Sequence, residues 1–391
     1  MENKAIGIVV PNDFVKRLPF GGASGFIQNV VAAIASPTVI FGAGANGTPL
    51  WSPQKLESGA TFIGTYPFRF PSPLPLRLRA FWGYLRNRRR ILSSGVRLIY
   101  VHSPECALPF LFGRQRLPVV FHQHGSGNPV ATAKFSWARN GLLVRLFDKI
   151  HQIIYERADW IIAIDRLCLE QAQSHGAGHK VSLLMNAVDR HQFRPDRAAR
   201  TSYRAANGYP EEEFVLLFVG RIEEIKQLDR LIAGLSLLKT NRRVRLLIAG
   251  EGTRRPMLER MVRELSLEGS VQFLGKISHD RLPAYYNMAD ALALPSKMEG
   301  VPMVILEALA CGTPVIASAV GGIPDLVSTG INGVLLGRTS PDAIAAAIFE
   351  TASAPWDRDT VSATVARWGA VKVGAELSAI FDRIIEHRGQ K

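Results

Sequence analysis

The chain has 391 residues, 47% of them hydrophobic and 20% charged, with 34 Gly and 23 Pro. That composition excludes a disordered chain, a collagen-like repeat and a coiled coil, and at roughly 150 residues per domain the length points to two domains. The net charge of +14 is lopsided: residues 1–200 hold 25 Lys and Arg against 11 Asp and Glu, whereas residues 201–391 hold 22 of each, so the first half is expected to face a lipid headgroup, a phosphorylated substrate or a nucleic acid.

Cys106, Cys168 and Cys311 are widely spaced and form no C-x-x-C pair, which argues against a disulfide framework or a structural zinc site and for a reducing compartment. The apolar stretch Ala5 to Val10 is too short for a secretory leader, and no run approaches the ~18 apolar residues of a membrane span. A cytoplasmic protein is expected, acting at most on the surface of a membrane.

In chain order, the first half offers the strand-like AIGIVV (5–10), a Gly-rich turn, the helical FIQNVVAAIA (26–35), PTVIFG (37–42), RLIYVH (97–102), PVVFHQHG (118–125) and DWIIAI (159–164). Between them, residues 75–92 set Leu78, Phe81, Trp82, Leu85 and Leu92 at helical spacing, with Arg86, Arg88, Arg89 and Arg90 crowding the other side. Such a helix suits an anionic bilayer surface, or packs on its own domain as an ordinary amphipathic helix. Residues 135–150, with Leu143, Leu146, Phe147 and Ile150, present the same choice. Nucleic-acid binding has no recognition motif to support it.

A polar, Arg-rich stretch (191–213) separates the halves. After it, strand-length FVLLFV (214–219), VRLLIAG (244–250), VQFLG (271–275) and DALALPS (290–296) alternate with helix-length QLDRLIAGLSLLK (227–239), RPMLERMVREL (255–265), DRLPAYYNMA (280–289) and PMVILEALA (302–310). This alternation predicts a doubly wound α/β domain with a parallel sheet, and the first half reads as a second domain of that kind. The expected domains are 1–195 and 196–370, with a C-terminal helix over 371–391 free to cross back to the first.

The strongest chemical signal is residues 294–318. Pro302 suits the first turn of a helix that stops at Cys311-Gly312. Glu299 then lies in the loop entering the helix and Glu307 about two turns inside it, among apolar neighbours where an unpaired charge is costly. Gly300, Val301 and Pro302 would bring unpaired N–H groups to an anion, and the two carboxylates would accept from hydroxyl groups. In GRIEEIKQ (220–227), Arg221 and Lys226 at the end of a strand would bracket a diphosphate, unless they are ordinary surface cations. Gly21 and Gly22, between the first strand and its helix, would let the backbone approach a phosphate or sugar. No metal is expected. The only D-x-D, Asp357-Arg358-Asp359, is explained by helix capping.

Taken in order, GGASGFIQNVV, VVFHQHG, ADWIIAI, LLMNAVDRHQFRP, VGRIEEIKQLDRLI, IAGEGTRRPML, VQFLGKIS, PSKMEGVPMVILEALACGTPVIAS and AVGGIPDLVSTGINGVLL resemble the retaining, nucleotide-sugar-dependent glycosyltransferases of family 4. The resemblance implies the GT-B fold, two Rossmann-like domains facing across a cleft, and a hexosyltransferase that needs neither metal nor cofactor. It implies a nucleoside-diphosphate sugar as donor; with the basic first half and the arginines of residues 75–92, the expected acceptor is a lipid-linked or membrane-bound saccharide, in polysaccharide or glycolipid biosynthesis, and the protein is expected to be peripheral on the cytoplasmic face of the membrane. By the same resemblance, Glu307 holds the ribose, Glu299 a sugar hydroxyl, Arg221 and Lys226 the diphosphate, and Gly21, Gly22, Gly250 and Glu251 line the donor. His124, which precedes Gly125 as the family's histidine does, reaches the sugar, while His122 and His102 are read as core or surface histidines. The chain departs from the family's usual pattern at Gln227, Ala187 and Asp165. The rival readings are a GT-B epimerase or hydrolase acting on the same donor, and a non-enzymatic nucleotide- or sugar-binding protein.

Overall fold

Parallel strands covered on both faces read as unbroken apolar runs, and the runs of this chain build two sheets in a computed structural model that describes residues 5–15, 22–45, 47–68, 76–113, 116–125, 141–240 and 242–389. Gly21, the Leu143 side chain and residues 126–140 lie outside that description. The chain divides into two units, Met1–Asn186 with Ala370–Lys391 and Ala187–Gly369. The division precedes the boundary after 195 expected from composition. Val188 N donates to Trp368 O at 2.9 Å and Arg190 donates to Ser362 Oγ at 3.0 Å, which ties the 187–195 stretch to the second unit.

The first unit is built on β1 (Ala5–Val9), β2 (Thr38–Ala45), β3 (Pro53–Lys55), β4 (Thr61–Phe68), β5 (Val96–Val101), β6 (Val119–Gln123), β7 (Trp160–Ala163) and β8 (Val181–Leu183). They run in the order β3-β4-β2-β1-β5-β6-β7-β8, parallel except for the short antiparallel edge strand β3. Its helices include α1 (Gly22–Val30), α2 (Leu76–Leu92), α3 (Pro104–Ala107), α4 (Gly141–Arg157) and α5 (Arg166–Ala172). The hydroxyl of buried Tyr84 on α2 lies 2.5 Å from Val10 O and 2.8 Å from Phe41 O, fastening that helix to the ends of β1 and β2.

Tyr84 is on the face of α2 that Ala80 and Ile91 also bury. The expected apolar face is therefore not the packed one: Leu78 is 54% exposed, Trp82 64% and Leu85 43%. Nor do the four arginines act together. Arg86 and Arg89 are exposed, whereas Arg88 donates to Phe112 O at 2.5 Å and Arg90 stacks over the Trp51 ring at 4.0 Å. Helical spacing identifies an amphipathic helix but not which stripe the fold covers.

The second unit carries β9 (Phe214–Val219), β10 (Val244–Ala249), β11 (Val271–Gly275), β12 (Ala291–Leu294), β13 (Val315–Ser318) and β14 (Gly333–Leu336), all parallel, in the order β11-β10-β9-β12-β13-β14. Around them lie α6 (Arg197–Ala206), α7 (Leu228–Ser236), α8 (Arg255–Glu264), α9 (Leu282–Met288), α10 (Met303–Ala310), α11 (Pro341–Ser353) and α12 (Arg358–Ala363). Strand order reverses between β9 and β12, the position at which an open α/β sheet leaves a crevice at its strand C-termini. The final helix, α13 (Ala370–Gly389), packs on the first unit: Arg388 pairs with Asp159 at 2.8 Å and Ala35 N donates to Ser378 Oγ at 3.0 Å.

At the opposite end of the second sheet, Asp290 joins α6 to β9 and β12. It accepts from Val215 N at 2.7 Å, Arg200 at 2.8 Å and the fully buried Arg204 at 3.1 Å. Removing one partner of a buried ion pair strands the other in a medium that solvates it poorly. Asp290→Ala is expected to destabilise the protein by about 3–5 kcal/mol, against a smaller loss for Asp290→Asn, as read from the urea midpoint of each variant.

Candidate functional site

The loops leaving β9, β10 and β13 crowd together at the strand C-termini of the second unit, and glycine is what lets them do so. Gly220 and Gly250 adopt φ of 156° and 152°, and a Cβ on Gly250 would run into the Gly220 carbonyl. A Cβ on Gly321 would strike the Glu299 carbonyl, while Gly322 N donates to Gly300 O at 2.9 Å and fixes the loop that enters α10. Further bonds from Ile222 N to Glu251 O (3.0 Å) and from Lys297 N to Ile225 O (2.8 Å) hold three expected segments, around Arg221, Gly250 and Glu299, against one another.

Lys226 and Glu299 meet directly, Nζ to Oε1 at 2.5 Å, and the same oxygen accepts from Ser296 Oγ at 2.6 Å. An ammonium has three N–H groups, so this pair leaves donors for a second anion. Arg221 is exposed, and among the described residues its guanidinium has no ion-pair partner. Glu251 is half exposed and bound to Arg255 on the next turn at 2.6 Å. Pro302 sits one residue ahead of α10, as its N-cap, rather than in the first turn. The loop of Gly300 and Val301 therefore enters the helix through Pro302, ahead of the first-turn N–H groups that helix geometry leaves without intrahelical partners.

Glu307 is 3% exposed on α10, and the fold supplies the partners its burial requires. Tyr286 OH donates to Oε2 at 2.8 Å, and His279 Nε2 lies 2.9 Å from Oε1. Burial and the neighbouring carboxylate push the Tyr286 hydroxyl well above its ordinary pKa, so it stays a donor. Neither Tyr286 nor His279 was identified from sequence. The only trace of Tyr286 is its place in the apolar register of α9, and partnership with Glu307 crosses twenty residues that no local pattern spans.

In the first unit, α1 opens at Gly22, and His124 follows β6. His124 is not alone. Its Nε2 lies 2.7 Å from Nδ1 of His102, at the end of β5, and its ring stacks on His122 with centroids 4.3 Å apart. His122 meets Tyr100 OH at 2.6 Å through Nδ1, and Phe26 of α1 packs against all three imidazoles. In sequence His124 stands apart from His102 and His122 by the glycine that follows it; parallel strands β5 and β6 place the three side by side. Burial holds all three rings below their ordinary pKa, His124 at about 4, so they are neutral at pH 7.

Comparison with known proteins gives this geometry a family. Residues 199–362 match the model of glycosyl transferases group 1, and residues 22–192 that of glycosyltransferase family 4. Over 252 residues, 60% of this chain and 58% of the relative, the sequence is 34% identical to a D-inositol 3-phosphate glycosyltransferase of Catenulispora acidiphila. It is 37% identical over 191 residues to the enzyme of that name in Mycobacterium bovis, covering 47% of this chain and 39% of the relative. The matches thus span less than two thirds of the curated relatives' length. Sucrose-phosphate synthase from Thermosynechococcus elongatus shares the fold across 99% of this chain and 98% of its own, with a TM-score of 0.73 at 21% identity. Anabaena HepE crystallised with UDP-glucose does so across 97% and 99%, with a TM-score of 0.73 at 19% identity. With one half of the chain matching each of two glycosyltransferase models and the whole sharing this fold, the protein belongs to the GT-B glycosyltransferases.

Proposed function

We propose that the protein transfers a sugar, with retention at the anomeric carbon, from a nucleoside diphosphate to a saccharide acceptor presented at a membrane. The observation that carries the donor half is the convergence of the free Arg221 guanidinium, the Lys226–Glu299 pair and the α10 N-terminus at the point where strand order reverses. The relatives named for glycosyl transfer to an inositol phosphate, and the HepE structure with UDP-glucose, support this reading.

In this mechanism Arg221 and Lys226 bracket the diphosphate and take up the charge that develops as the anomeric C–O bond breaks. The N–H groups of α10 face the same phosphates, with Gly250 and Glu251 lining the donor. Glu299, set by Ser296 and Lys226, accepts from a sugar hydroxyl. Glu307 accepts from the ribose through the carboxylate capacity that Tyr286 and His279 leave open. The acceptor oxygen attacks the face the diphosphate leaves, and its proton passes to a donor phosphate oxygen. His124 orients the sugar as a neutral imidazole. No enzymatic nucleophile, metal or cofactor takes part.

The membrane half rests on an exposed array in the first unit. Leu78, Trp82 and Leu85 on α2, with Leu142 and Leu146 on α4, face solvent. Arg77 joins the two helices by stacking over Phe147 at 5.9 Å, and Arg86 and Arg89 flank the ridge. An apolar ridge edged with cations suits the cytoplasmic face of an anionic bilayer. Among the described residues no helix is long and apolar enough to cross a membrane.

Arg221→Ala removes an exposed side chain and is expected to leave the thermal melt unchanged while lowering kcat/KM at least tenfold, a cost of about 2–4 kcal/mol. Glu307→Gln should raise the donor KM in parallel. Wild-type values in both, measured below donor saturation, would overturn the site. Chelation by EDTA should leave most of the rate, because fixed cations and a helix terminus stabilise the leaving group; a rate abolished by EDTA and restored by Mg²⁺ would contradict that assignment.

Membrane attachment should depend on the two unengaged arginines and the tryptophan. At about 1 kcal/mol per cation near an anionic surface, replacing Arg86 and Arg89 by Ser should weaken co-sedimentation with anionic vesicles roughly tenfold or more. Salt should do the same for the wild type as the Debye length shrinks from ~10 Å at 0.1 M to ~3 Å at 1 M. Trp82→Ala should weaken binding at either salt level. Equal affinity for neutral and anionic vesicles would reject the electrostatic dock.

A further inference from the structure

The three imidazoles at the ends of β5 and β6 are closer, and less satisfied, than the transfer reaction requires. One ring nitrogen from each of His102, His122 and His124 lies within 4.8 Å of one from each of the others. Their mutual contacts leave His102 Nε2 and His122 Nε2 buried and without a hydrogen-bond partner. A buried imidazole nitrogen with nothing to bond is a cost to the fold, and two such atoms in one cluster point to something that occupies the space between the rings. His102 and His122 are almost wholly buried, while His124 is partly exposed and gives the cluster a way in from solvent.

We propose that His102, His122 and His124 form a three-imidazole site for a divalent transition ion of the zinc class, with its fourth position open on the His124 side. Uncharged imidazole nitrogens suit zinc-class ions and discriminate against Mg²⁺ and Ca²⁺, which take oxygen ligands. Zinc binds imidazole at about 2.0–2.1 Å, so ligand nitrogens in a tetrahedral site stand about 3.4 Å apart; the rings, whose planes now lie 24° and 25° from that of His124, must turn to bring the widest spacing in by about 1.4 Å. The Tyr100 hydroxyl on His122 Nδ1 is the outer contact such a site needs. With an ion on Nε2, one of the two orphaned atoms, Nδ1–H would donate to that hydroxyl.

Resting on the proposed role of His124 beside the donor sugar, the site is inhibitory: an ion that claims His124 withdraws it from the sugar. The reaction then needs no metal and is reversibly blocked by one. The test is titration of the metal-stripped full chain with Zn²⁺ by calorimetry, and with Co²⁺, whose visible absorption reports coordination by imidazole. One ion per chain is expected, bound at least about tenfold more weakly by His124→Ala and by His102→Gln, with thermal melts confirming that each variant is folded. Equal binding by all three proteins would overturn the site and assign the ions to surface histidines. In the transferase assay Zn²⁺ should suppress the wild type and spare His102→Gln. Binding lost in the variants but without effect on the wild-type rate would overturn the inhibitory role and the place of His124 at the sugar, while the Arg221 and Glu307 assignments stand or fall on their own kinetics.

Discussion

A parallel sheet whose strand order reverses once leaves one place where two neighbouring strands send their loops in opposite directions, and in the second unit that place is between β9 and β12. Four of the groups proposed for the donor hang from it. Arg221 and Lys226 follow β9, Glu299 follows β12, and α10 starts where the β12 loop ends. The crowding this imposes is met by backbone alone at Gly250, Gly252 and Gly321, where a Cβ would collide with the carbonyls of Gly220, Ile222 and Glu299. The site is therefore positioned by hydrogen bonds between loops, with side chains adding charge to a frame that already exists.

That frame keeps its charges in a form suited to exchange. Lys226 and Glu299 pair directly, and only part of the ammonium is used. In the proposed reaction a diphosphate at Lys226 would use the remaining N–H groups, and Ser296 would still hold the same Glu299 oxygen. Glu307 is treated differently. It is buried and held by Tyr286 and His279, so its orientation is set by the fold and the entropy of fixing it is met in folding.

Much of this was legible in the sequence. β1, β2, β5, β6, β7 and β9 to β12 announced themselves as apolar runs, whereas β4, β8, β13 and β14 were not read as strands, and the spacing of Glu299 and Glu307 placed one carboxylate before α10 and the other inside it. What escaped were relations across the sheet. His102 and His122 looked like unrelated histidines because α3 and its loops separate the ends of β5 and β6 along the chain, while the sheet sets them side by side. Tyr286 and His279 were invisible for the same reason. The edge strand β3 is too short and too polar to carry a period-two pattern, and α2 shows that amphipathicity has two candidate faces: Tyr84, hydrogen-bonded to the ends of β1 and β2, decided which one was buried.

The helix α13 closes the first unit from the far end of the chain. Its Phe381 ring meets Tyr100 on β5 with centroids 5.1 Å apart, and Gly374 fits against Ala33 where a Cβ would clash with that residue's backbone. The first unit is thus a discontinuous structure into which the whole of residues 187–369 is inserted. During synthesis, the sheet that carries the three histidines emerges early yet waits for the second unit to be made before its last covering element appears. The second unit, complete in one stretch of chain, is able to finish first, reversing the usual N-to-C order of domain folding.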